Sequence, residues 1–157
     1  MKRLLTGLFA VGSLVVLLVA VTAWGKPSAK HDHHGAKTIT VIEHATTDET
    51  TDTGAEGDSA GDILTFANDV FDKTDAHKVG TDQGYCIRTV KGVAYECNFT
   101  TMLAGGSLVV EGPFYDAKDS VLAITGGTGR YRKARGAMEL RARENGTKFA
   151  FVFHIVR

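Results

Sequence analysis

The chain has 157 residues, with 18 Lys and Arg against 18 Asp and Glu, so its formal net charge is zero. That length holds one domain plus short extras, and the lack of a basic excess argues against nucleic acid as a partner. No nucleophile elbow, phosphate loop or zinc-binding helix motif occurs, so neither a cofactor nor a metal site is expected.

Met1-Lys2-Arg3 is a basic start, Leu4 to Ala23 is almost wholly apolar, and Val21-Thr22-Ala23 offers small residues for cleavage before Trp24. This pattern reads as a secretory signal peptide over residues 1–23. The run also approaches the length of a membrane span, so an uncleaved anchor is the alternative. Cleavage implies a secreted or extracytoplasmic protein without membrane contact. Losing Lys2 and Arg3 leaves two fewer cations than the 18 acids. Export also permits a disulfide.

Residues 24–36 are polar and carry His31, Asp32, His33 and His34, with Pro27. They read as a flexible leader. Imidazoles suit transition metals, but no spaced ligand set completes a site here. Residues 37–157 form the expected folded domain.

That domain reads as strands. Thr38 to His44 alternates, with Ile39, Val41 and Glu43 on one face. Asp48 to Ser59 carries five acids and reads as a solvated loop. Leu64, Phe66 and Asn68 share a face on the next strand. Gly84 to Val90 and Val93 to Thr101 form a hairpin about Lys91-Gly92. Ser107 to Glu111 and Ser120 to Thr125 follow. Ala137 to Arg143 and Lys148 to Ile155 flank Asn145-Gly146, a pair suited to a tight hairpin because both residues tolerate positive φ. A two-residue turn there pairs Ala142 with Phe149, Leu140 with Phe151 and Met138 with Phe153, one dry face, with Lys148 on the other. Eight short strands without a helix imply a closed barrel or a sandwich.

Cys86 and Cys97 fall opposite each other across Lys91-Gly92, close to disulfide reach. The competing reading is two free thiols in the interior; export favours the bridge. Arg88, Tyr95 and Phe99 share the face of the cysteines. They line a pocket for an aromatic or fatty ligand, or they fill a core. Arg130, Arg132, Lys133 and Arg135 beside Gly129 grip an anion or form a solvated loop. His44, His77 and His154 have no catalytic or metal spacing.

The block from Ser120 to Ala137, SVLAITGGTGRYRKARGA, closely resembles the signature of the dirigent and allene oxide cyclase superfamily. Gly61-Asp62-Ile63-Leu64-Thr65-Phe66-Ala67-Asn68 resembles the allene oxide cyclase run Gly-Asp-Leu-x-x-Phe-x-Asn, and Gly112-Pro113-Phe114 fits the same pattern. The resemblance spans Lys37 to Val156. It implies an all-β protein, an eight-stranded antiparallel β-barrel of the allene oxide cyclase/dirigent type, preceded by the signal peptide. A homotrimer is implied by the resemblance alone.

The resemblance also implies roles. Glu43 and Asn68 match the cavity Glu and Asn of allene oxide cyclases, where a held water grips an epoxide oxygen and the Glu stabilises developing positive charge. Ala45 stands where those enzymes carry a second Asn, and Ala45 to Asp62 has no counterpart of their Ser-Pro pair. Phe114 replaces their Tyr, and Cys86 corresponds to a cavity Cys. The other reading of Glu43 is a strand-end residue, exposed or paired with Arg88. Three functions follow as expectations. The first is a barrel binding a small apolar or aromatic molecule through Phe66, Arg88, Tyr95, Phe99 and Phe114, and steering its reaction as dirigent proteins do. The second is an intramolecular isomerase, a cyclase of an unsaturated epoxide, using Glu43 and Asn68. The third is a structural envelope barrel with a filled lumen.

Overall fold

The computed structural model describes residues 36–156. The expected signal peptide, and all but the last residue of the expected His-rich leader, lie outside the described residues.

The strands are β1 (Lys37–His44), β2 (Glu49–Thr51), β3 (Ile63–Asp72), β4 (Lys78–Val90), β5 (Ala94–Leu103), β6 (Gly106–Tyr115), β7 (Ser120–Gly127), β8 (Arg135–Arg143) and β9 (Lys148–Val156). All pairings are antiparallel, in the order β1-β9-β8-β7-β6-β5-β4-β3-β2, and β1 also pairs with β3. That last pairing closes an eight-stranded barrel, because β1 bonds Phe151 and its neighbours on one side and Val70 and its neighbours on the other. The short β2 continues the line of β1 along the other half of β3. Closure leaves no long edge to pair with another chain.

The alternation in sequence becomes inside and outside. Along β7, Ser120, Leu122 and Ile124 are buried while Val121, Ala123 and Thr125 are exposed. The β8–β9 register pairs Leu140 with Phe151 and Met138 with Phe153, as the sequence pattern predicts. Met138, Phe151 and Phe153 are fully buried in the core.

Some boundaries differ from the sequence reading. β4 begins at Lys78 rather than Gly84, and β6 extends through Pro113 to Tyr115. The β4–β5 turn has three residues, with a register shift between Arg88 and Val90 that restores the Cys86–Cys97 opposition. The acidic stretch after His44 is not all loop, since Glu49–Thr51 pairs with β3. The rest of it is organised by Asp62, which accepts from Thr53 N at 3.1 Å and Ser59 N at 2.7 Å.

The β7–β8 connection shows why its glycines are needed. Gly129 has a φ of 54°, and a Cβ there would run into the Gly105 carbonyl. The turn therefore packs backbone against backbone, where a side chain has no room. Arg130, Arg132 and Lys133 sit on this connection and Arg135 opens β8 beside it, at the barrel end opposite the β6–β7 and β8–β9 connections.

Candidate functional site

The inward positions of seven strands line one apolar cavity. Its wall is Leu64, Phe66, Phe99, Phe114, Leu140, Phe149 and Phe151, with the Cys86–Cys97 disulfide, and Glu43 and Asp48 also face it. Gly84 makes the wall possible. It lies between Phe66 on β3 and Phe99 on β5, whose rings meet at 5.6 Å. A Cβ at Gly84 would collide with Phe99. Phe99 in turn contacts Phe151 at 5.4 Å.

A polar cluster closes this wall. Asn68 is 1% exposed, and its amide donates to Glu43 Oε1 and Asp48 Oδ1, both at 2.8 Å. Its carbonyl oxygen accepts from Thr46 N and Thr47 N at 3.0 Å and from Thr47 Oγ1 at 2.9 Å. Every polar atom of Asn68 is thus engaged. It holds Glu43 from behind and does not line the cavity. Glu43 is buried, so the exposed strand-end reading fails. Its partner is Asn68, not Arg88.

Asp82 on β4 faces Asn68 across the strand pair and Thr101 on the other side. Neither Asp82 oxygen, nor Thr101 Oγ1, receives a hydrogen bond from a conventional donor among the described residues. Two ionised carboxylates side by side in an apolar interior repel strongly. Burial raises both acids: Glu43 is pushed up to about 7. Asp82 is pushed up to about 9, by burial first and then by the neighbouring Glu43 charge. A single proton held on Asp82 and donated to Glu43 relieves the conflict. Glu43 faces the aromatic chamber, and Asp82 sits beside it outside the chamber's lining.

Asp82 is not singled out by the sequence pattern, because a strand starting at Gly84 rather than Lys78 leaves it outside β4. The signal was present: Asp82, Gly84, Cys86 and Arg88 alternate, so Asp82 shares the inward face. Asp48 falls in the stretch that its acidic composition marks as a solvated loop. Only the break between β1 and β2 turns it back to Asn68.

Arg88 and Tyr95 lie elsewhere. They line a separate depression with Asp52, Asp58 and Asp62. Arg88 Nη1 donates to both Asp116 oxygens at 2.8 Å. Its Nε lies 2.7 Å from Asp58 Oδ1 without aiming its N–H there, so that contact is an ion pair only. The guanidinium also stacks 3.6 Å from the Tyr95 ring centroid. Burial opposes its charge, but the Asp116 hydrogen bonds outweigh that and hold it fully charged. These contacts tie the acidic loop and the β6–β7 connection to the wall. Phe66, Phe99 and Phe114 do face the lumen.

His44 and His154 are partners of surface carboxylates. His44 Nε2 lies 2.6 Å from Asp75 Oδ1, and His154 Nε2 lies 2.9 Å from Glu139 Oε1. Among the described residues no group of three His, Cys, Asp or Glu could hold a metal.

Fold and site together define an antiparallel barrel with an aromatic lumen and a buried acid pair. The allene oxide cyclase family profile matches residues 39–156, and the chain belongs to that family. Solved structures agree on the fold. A pyocyanin demethylase is 24% identical, with a TM-score of 0.65, covering 74% of this chain and 100% of its own. The exo-specific intermolecular Diels–Alderase AbnU is 15% identical, with a TM-score of 0.60 and coverage of 77% and 98%. The pterocarpan synthase dirigent protein PsPTS1 is 16% identical, with a TM-score of 0.60 and coverage of 79% and 98%.

Proposed function

We propose that the barrel takes up a small apolar or aromatic molecule in its lumen and steers its reaction, with Glu43 exchanging a proton with it and Asp82 tuning Glu43 from behind. The observation that carries this reading is the junction of an aromatic wall with a carboxyl pair short of hydrogen-bond donors. A dry lumen orients a ligand by shape, and an acid inside it acts strongly because little water screens it. Cyclisation and cycloaddition gain mainly from a held conformation. That barrels of this fold include a named Diels–Alderase and a pterocarpan synthase supports steering over simple storage.

Membership in the allene oxide cyclase family favours a second reading, an intramolecular isomerase of an unsaturated epoxide. Glu43 would stabilise positive charge as the epoxide opens. Against it stand Ala45 and the full engagement of Asn68, which leave few donors for a water that holds the epoxide oxygen. Loss of one such donor costs about 10²–10³-fold in rate.

The test is chiral product analysis with a fatty-acid allene oxide, alongside titration with the fluorescent probe 1-naphthol. Saturable binding with racemic product is expected. A large enantiomeric excess lost in Glu43→Ala makes the isomerase reading correct. Absence of any saturable binding leaves a filled structural barrel.

Export to a secreted or extracytoplasmic location is part of the same proposal, supported by the disulfide. A homotrimer is proposed from family membership, and light scattering tests it.

A further inference from the structure

The lumen is two hollows, not one. The inner, aromatic hollow that ends at Glu43 is only about 40 Å³. That is room for a few waters, but not for a ligand. The outer hollow, at the mouth, is about 480 Å³, a ligand-sized space. Its rim is polar and comes from the β6–β7 connection, including Asp116 and Lys118, and from the β8–β9 connection, including Arg143 and Glu144. Neither hollow suffices alone: one is apolar but too small, the other large but wet.

Three residues, Phe114, Leu140 and Phe149, line both hollows. Phe114 belongs to β6 and Phe149 to β9, with β7 and β8 between them in the sheet. Their rings nevertheless meet at 5.7 Å, edge to face. The contact therefore crosses the lumen instead of running along the wall. Both residues are half-buried and border the open space of the mouth.

We propose that Phe114 and Phe149 are a gate, and that parting them joins the two hollows into one slot for a flat aromatic ligand. The slot presents its polar rim to one end of that ligand and the Glu43 carboxyl to the other. The matching ligand is planar, apolar along its length, and carries a hydroxyl or N–H at its leading end. The size of the two gate residues then sets which ligands enter. This rests on the lumen-binding reading above.

A second way in exists beside Asp48, which is exposed and also lines the inner hollow. That side is pinned. Asn68 binds Thr46, Thr47 and Asp48, and Thr47 Oγ1 also accepts from Ala67 N at 2.8 Å. The gate rings are held by apolar packing and ring contacts without a hydrogen bond, so they are the softer side.

The disulfide reports on the gate without any knowledge of the ligand. Cys86 and Cys97 are 3% and 2% exposed and face the inner hollow. A small reductant in native buffer reaches them only after entering. The experiment measures dithiothreitol reduction of the folded barrel by mass shift after alkylation, with and without 1-naphthol. An edge-to-face pair is strong enough that removing it changes an opening rate about tenfold. Phe149→Ala, and the milder Phe149→Leu, are expected to speed reduction by about that factor. Saturating 1-naphthol is expected to slow reduction in the wild type. Met138→Ala, in the packed core away from the mouth, controls for general loosening and is expected to leave the native-state rate unchanged.

Equal acceleration by Met138→Ala overturns the gate, because global opening then explains the rate. So does acceleration by Leu64→Ala in place of Phe149→Leu, which puts the door beside Asp48. Protection by 1-naphthol without acceleration in either Phe149 variant sinks the gate and leaves the binding reading intact. Acceleration without protection supports the gate and sinks the binding reading.

Discussion

Two charged clusters, one at the barrel mouth and one inside, are built on opposite plans. Around Arg88, one cation meets two carboxylates, Asp58 and Asp116, and an aromatic face. Around Glu43, like charges crowd together, and neither Asp82 oxygen has a well-formed hydrogen bond among the described residues. The first arrangement binds loops to wall and stabilises. The second costs stability, because a buried carboxylate short of partners favours the unfolded chain, where water solvates it. A buried acid facing an apolar lumen with a second acid beside it points to chemistry rather than to folding.

Mutations separate the two plans from each other and from the plain core. Phe151→Ala removes a ring buried in the shared core, and a loss of about 3–5 kcal/mol is expected by urea denaturation. A loss below about 1 kcal/mol would place that strand outside the core. Arg88→Met keeps the packing over Tyr95 but strands Asp58 and Asp116. Both acids are partly exposed and can rehydrate, so the loss is expected to be about 2 kcal/mol, shrinking in high salt.

Asp82→Asn has the opposite sign. Glu43 and Asp82 are raised in the folded chain, so the native state holds protons that the unfolded state releases once the pH passes the ordinary carboxyl range. Stability from this pair is therefore full below that range. It declines as pH rises through about 7 and about 9, the folded values of Glu43 and Asp82. The variant, which cannot ionise at that position, should gain on the wild type across this window, by about 1–2 kcal/mol at its upper end. Parallel stability curves for variant and wild type from pH 5 to pH 9 would show that Asp82 titrates normally.

The barrel was legible in the sequence because its signals are local. Alternation assigned the faces, and the Cys86–Cys97 pair and the Phe149, Phe151 and Phe153 row fell into register by counting from nearby turns. The site was legible only in part. Glu43 and Asn68 stood out through the family motif, but motif and alternation cannot say what a side chain touches. Asn68 is engaged by Thr46 and Thr47, residues about 20 positions away, across a break that no periodicity marks. Asp82 was hidden by a strand boundary at Gly84, since glycine reads as a breaker where here it clears space for Phe99. Arg88 shared the inward face of the cysteines, yet the barrel mouth brought Asp58 and Asp116 to it and took it out of the lumen.

The central claim is that Glu43 and Asp82 hold one proton between them at the end of an aromatic lumen. Carbon-13 NMR of the barrel labelled at its carboxyl carbons follows each acid through a pH titration. The account predicts that Asp82 stays protonated through neutral pH, that Glu43 ionises late, and that Asp82→Asn returns Glu43 toward the ordinary range. Both resonances titrating in the ordinary carboxyl range, near pH 4, would contradict it.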